Sequence, residues 1–219
     1  MTPGRLAALL LAVPWGAHAA AAQVLTAAAS VSAALHRVDA GYGVERSSGV
    51  LGGARVSLGL PPRVELGVTA GAGTLDRDST SAEDRHVAEV GLDARYRTLP
   101  WLWLETGVAT RTYAAPIAIQ RWTSLRLGGE ARVAFFGGRA EGVGRVLFLP
   151  LVAVTGLDQP ELAVAAAAGI EYRLGPVAAA LFYSLERYDF PARDGVARIE
   201  QLSALTGRVS VRLLPFPRP

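Results

Sequence analysis

Two histidines stand beside acids in this sequence in a way that could move protons. His36 lies just before Asp39 and His86 just after Asp84, and Asp76, Asp78 and Ser79 sit between the two pairs. An imidazole oriented by a carboxylate can act as a general base when a nucleophile or water is within hydrogen-bond reach, and spacing along a chain does not supply that reach. Histidines next to aspartates in polar loops are more often solvated loop residues. There is no cysteine, which removes disulfides, thiolate metal sites and cysteine nucleophiles. The stretch from Asp76 to His86 is acidic enough to suggest calcium, but it lacks the glycine and the closing glutamate of an EF-hand loop. No glycine-rich loop opens a helix to hold a phosphate, so no cofactor and no metal are expected. All 22 basic residues are arginine, with neither Lys nor Asn anywhere, a bias that reads as genomic base composition. A formal charge of +3 gives no nucleic-acid surface. The sequence predicts no enzyme and no nucleic-acid partner.

The elements that would position these residues begin with an export signal. Residues 1–22 carry Arg5, an apolar run from Leu6 to Val13 and a small-residue stretch from Ala17 to Ala22, the anatomy of a cleaved secretory peptide. Residues 23–219 are then a single domain. Its most apolar run, Leu162 to Ile170, is closed by Glu161 and Glu171 and has the length of a strand, far short of the ~20 residues a spanning helix needs.

From Val50 onward, residues alternate with period two between clusters of Gly, Pro and Asp. Strands are expected at Val50–Leu60, Val64–Leu75, Val87–Arg97, Trp101–Tyr113, Thr123–Phe135, Arg139–Val152, Glu161–Leu174, Val177–Tyr188 and Ile199–Leu213, preceded by a weaker one near Thr26–Val38. That makes about ten strands, each long enough to span an outer membrane when tilted. Charges sharpen the pattern. Between Val50 and Leu174 each strand keeps its ionisable residues on one parity, as with Glu89, Asp93 and Arg95, and the other parity carries none. Glu186 and Arg187 break the rule side by side, as they would where a strand leaves the apolar layer. Joints alternate as well. Those at residues 61–63, 98–100, 136–138 and 175–176 are tight, whereas 39–49, 76–86, 114–122, 153–160 and 189–198 are longer and polar, the asymmetry of a transmembrane barrel.

Period two cannot separate a soluble sandwich, charges outward, from a membrane barrel, charges inward. The charged parity is rich in Gly and Ala, including Gly67, Gly91, Gly107, Ala165 and Ala167, which suits a crowded lumen better than a wet surface. Tyr96, Phe135 and Tyr172 stand on the apolar parity just ahead of tight turns, where an interfacial girdle sits. On this reading the lumen holds Arg55, Glu65, Glu89, Asp93, Arg95, Glu105, Arg111, Arg126, Glu130, Arg132, Glu141, Arg145, Glu171, Glu186, Arg208 and Arg212. Signs nearly balance, so these groups are expected to pair, since a lone ion away from water costs several kcal/mol. Trp101 and Trp103 share parity with Glu105 and face either the lumen or, by way of a bulge, the interface.

With this pattern, residues 23–214 resemble small single-domain outer-membrane β-barrel proteins of Gram-negative bacteria, the group that includes the outer membrane protein A transmembrane domain. The resemblance rests on pattern and not on a signature motif. The terminal aromatic such barrels often carry is replaced by Phe216 followed by Pro217, Arg218 and Pro219. It implies an all-β fold, a closed antiparallel up-and-down barrel, exported through the periplasm to the outer membrane. Its implied partners are outer-membrane lipid, lipopolysaccharide and, during biogenesis, the barrel assembly machinery. The expected role is structural or loop-mediated, with a lumen filled by side chains. A narrow small-solute or ion channel is the alternative. A hydrolase sited at the outer rim is the other, since omptin-type proteases and lipid A deacylases of this size use His with acids there.

Overall fold

The computed structural model describes residues 24–41, 43–60, 62–77, 84–116, 118–193 and 195–213. The export segment, Asp78, Ser79 and everything from Leu214 onward lie outside them. All ten expected strands are present: β1 (Val24–Asp39), β2 (Val44–Leu60), β3 (Val64–Arg77), β4 (Arg85–Leu99), β5 (Leu102–Ala115), β6 (Ala118–Phe135), β7 (Ala140–Val154), β8 (Leu162–Leu174), β9 (Val177–Arg193) and β10 (Val196–Leu213). Each pairs antiparallel with its chain neighbours, and β1 pairs with β10 from Leu25–Leu213 to Asp39–Ile199, which closes the barrel. Closure removes the unpaired edges that an open sheet must protect.

The long polar joints expected at one end are mostly strand. Only residues 40–43 join β1 to β2, with the Ala40 N–H donating to the Gly43 carbonyl at 3.4 Å. Residues 116–117 join β5 to β6 and residues 194–195 join β9 to β10, leaving 78–84 and 155–161 as the longer connections. Alternation in sequence records which face is apolar. Ladder hydrogen bonds do not need that contrast, so pairing continues where both faces are polar. The other end holds the tight turns as expected, together with the start of β1 and the end of β10. One of them, at residues 136–138, runs through three successive left-handed backbones, with φ of 49° at Phe136, 65° at Gly137 and 82° at Gly138. Two glycines supply that conformation without strain, and Phe136 adopts it despite its side chain.

Parity sorts the two faces. Outward side chains form an apolar band in which Val31 and Val50 are each 61% exposed and Val133 and Val146 each 65%. An apolar surface of that extent is not one that water covers in a monomeric soluble protein. Tyr96 and Tyr172 face outward near the turn end, and the Phe135 ring packs edge-on against the exposed Phe136 at 5.4 Å. β7 changes parity midway. Leu125 faces Leu151 but Leu127 faces Phe148, so Leu149 and Pro150 together oppose Arg126 in a bulge. Pro150 has no N–H to give the ladder, and a bulge is where a strand tolerates it. Leu149 continues the inward parity of Arg145 and Leu147, and the slip turns Val152 and Val154 inward after it; all three are buried.

Candidate functional site

The lumen is the candidate site, and it has three levels. Nearest the turn end, six arginines and six carboxylates form one connected network. Arg55 bridges Glu65 at 3.1 Å and Asp93 at 2.5 Å. From Asp93 the network passes to Arg95, which also reaches Glu105 at 3.5 Å and Glu130 at 3.4 Å. Arg145 pairs with Glu105. Arg132 links Glu130 at 2.7 Å to Glu141 at 3.3 Å and Glu171 at 3.6 Å, and Glu171 then takes Arg173 at 3.1 Å and Arg208 at 2.8 Å. Each carboxylate here with a side chain under 10% exposed meets at least two guanidiniums. Such pairing is what makes buried charge tolerable: the mutual attraction offsets a desolvation cost of several kcal/mol per ion. Gly67 shows how tight the fit is, because a Cβ there would run into the Arg55 guanidinium.

Above this network the lumen contains a cavity of about 350 Å³. One of its walls is built of small residues, among them Ala28, Ser30, Ser32, Gly53, Gly71 and Thr206, and the facing wall carries Glu89, Arg95, Glu130 and Arg145. Small residues on β1, β2 and β3 leave the room into which long side chains from β4 to β7 extend.

At the far end the lumen turns aromatic. Tyr113, Trp122, Tyr188 and Phe190 are each buried on the inward face. Trp122 meets Tyr188 at 4.9 Å, Phe190 at 5.9 Å and Tyr113 at 6.3 Å, all edge-to-face, and His36 stacks on Tyr113 at 5.2 Å. Leu75, Leu149, Val152 and Leu202 complete the plug. Beneath it Arg111 and Arg126 share Glu89 and Glu186, and the Tyr188 hydroxyl donates to Glu186 at 2.9 Å. Edge-to-face rings at these distances add stabilisation beyond their buried area.

Of the sixteen residues assigned to the lumen from sequence, fifteen are ion-paired in it. Arg212 is the exception: it sits at the turn-end mouth, exposed, with no ion pair among the described residues. Trp103 faces the lumen, its ring 5.5 Å from the Arg97 guanidinium carbon, while Trp101 stands exposed in the adjoining turn. Sequence reasoning missed Arg173, which shares parity with Glu171 and was legible by the same rule. It also missed the inward aromatics, whose parity matches the charges.

The His–Asp pairs do not assemble. His36 points inward and Asp39 outward, on opposite faces of one strand, and Asp39 pairs with Arg37 at 3.5 Å. The acid His36 meets is Glu200, at 3.3 Å from Nε2, which Arg198 also contacts at 2.5 Å. His36 is 4% exposed, and its Nδ1 has no hydrogen-bond partner among the described residues. His86 faces outward and bonds the Thr74 hydroxyl at 3.1 Å, and Asp84 is exposed in the joint before β4. Among the described residues no group of His, Asp and Glu is placed to hold a metal ion.

Comparison with solved structures decides the kind of barrel. The outer membrane protease OmpT from Escherichia coli is similar over 87% of this chain and 97% of its own, with a TM-score of 0.59 and 11% identity. The fold is that of an outer-membrane β-barrel. The translocator domain of the autotransporter NalP from Neisseria meningitidis matches over 90% of each chain at TM-score 0.46 and 14% identity. Neisserial surface protein A matches over 86% of this chain and 97% of its own at TM-score 0.41 and 11% identity. No family model matches the sequence, and no curated protein matches it.

Proposed function

We propose that this chain is an integral outer-membrane barrel whose lumen is closed, and that it serves the envelope structurally or through its far-end rim, without catalysis or a cofactor. The observation that carries this reading is the stack across the lumen: an aromatic plug, a four-charge cluster beneath it and the twelve-charge network at the turn end. A solute would have to break ion pairs at two levels and part Trp122 from Tyr188. Among the described residues no catalytic geometry accompanies the closure, since His36 is sealed in the plug and His86 is turned away from the lumen.

The charges beyond the outward band support an orientation. At the far end, register places Arg46 opposite Arg37, Arg37 opposite Gln201 and Gln201 opposite Arg187, so that three outward arginines lie in a row across four adjacent strands, with Asp39 beside Arg37 and Asp189 beside Arg187. Like charges directly opposite each other destabilise a sheet unless an anion lies between them. The phosphates of lipopolysaccharide would supply one between Arg46 and Arg37, which supports a far end in the outer leaflet and turns in the periplasm. Assembly from the periplasmic side by the barrel assembly machinery follows from that orientation. The test is fractionation followed by gel migration with and without heating. Recovery in the outer membrane with a heat-dependent shift supports the reading, and a soluble periplasmic protein with no shift overturns it.

A further inference from the structure

Among the described residues, lumen charge is left over at the turn-end mouth. It opens into a vestibule of about 660 Å³ whose walls include Arg63, Arg97, Arg212, Trp101 and Trp103. Arg63, Arg97 and Arg212 make no ion pair among the described residues, whereas the network just above them is matched six to six. Arg63 and Arg97 are held close by the ladder, with the Arg97 N–H donating to the Arg63 carbonyl at 2.9 Å. Arg97 is steadied over the Trp103 ring. The carboxylates in the wall, Glu65 and Glu141, already serve Arg55, Arg132 and Arg173.

Three guanidiniums offer planar donor forks and no acceptor, a set that a tetrahedral oxyanion with several free oxygens satisfies better than a lone carboxylate. Trp101 and Trp103 add an apolar floor beside them. We propose that this vestibule binds a phosphate-bearing ligand, with the phosphate taken by Arg63, Arg97 and Arg212 and the adjoining carbon skeleton resting on the two tryptophans. The phosphate belongs either to a soluble phosphomonoester or to a phospholipid headgroup. That the site faces the periplasm rests on the orientation proposed above; that it binds phosphate does not.

The test is calorimetric titration of the full-length barrel in a maltoside detergent with two probes, glycerol 3-phosphate and dihexanoyl phosphatidylglycerol below its micelle concentration. Binding of the first alone identifies a soluble phosphomonoester, and binding of the second alone or more tightly identifies a headgroup. Either supports the proposal if the double variant Arg97→Gln/Arg212→Gln weakens it by about ten-fold or more and Arg121→Gln, at an exposed position near the other end of the barrel, leaves it unchanged. Arg63→Gln, in an exposed turn, is the second variant should the double one lose its heat-shifted migration, and it too weakens binding. No heat with either probe, or equal affinity in the arginine variants, overturns the proposal.

Discussion

The two ends of the lumen are closed by different physics. At the turn end the interior is ionic, held by arginines that each reach across to carboxylates on other strands, as Arg95 does from β4 to Glu105 on β5 and Glu130 on β6. At the far end it is a packed core in miniature, with rings against rings and Leu75 fully buried. Ion pairs couple strands without demanding exact shape, and their strength depends on keeping every member. Packed rings depend on volume. The contrast predicts that single substitutions will fail differently at the two ends.

The largest loss is expected where one carboxylate serves several arginines. Glu171→Leu strips Arg132, Arg173 and Arg208 of a shared partner and should cost about 3–5 kcal/mol, as for a buried charge left uncompensated. The measurement is the urea midpoint of the heat-shifted gel band. Trp122→Ala removes the ring at the centre of the plug and should cost about 3 kcal/mol through the cavity it leaves. Neither variant should conduct in a planar bilayer, because Trp122→Ala leaves both ionic levels in place and Glu171→Leu leaves the plug. Gly67→Ala should cost about 1–3 kcal/mol, because the added Cβ displaces the Arg55 guanidinium from Asp93. If Arg55→Ala removes that penalty in the double variant, the cause is the clash. Smallest of all, Arg187→Gln at the rim breaks only its exposed pair with Asp189 and should shift the midpoint by less than about 1 kcal/mol.

Much of this was legible in the sequence, for a definite reason. The rule that charges share a parity reads the inward face directly: it put Arg55, Glu130, Glu171 and their partners other than Arg173 on that face, and with them Arg212, which lines the mouth without an ion pair among the described residues. Arg212 shares that parity but lies past the level where carboxylates stand, and parity says nothing about height. The same rule hid the plug. Tyr113, Trp122, Tyr188 and Phe190 are apolar residues on the charged parity, so a division into apolar-out and charged-in cannot see them. Bulge geometry was equally silent: the inward turn of Val152 and Val154 depends on a register slip at Pro150. His36 found its acid on β10 because barrel closure brings Glu200 beside it, a contact between residues far apart in the chain.

Closure of the lumen is the central claim, and conductance of the purified wild-type barrel in a planar lipid bilayer tests it most directly. The account predicts a baseline without steps, and no current from Trp122→Ala either, since the two ionic levels still block the lumen. Stable ohmic steps from the wild-type protein would contradict it.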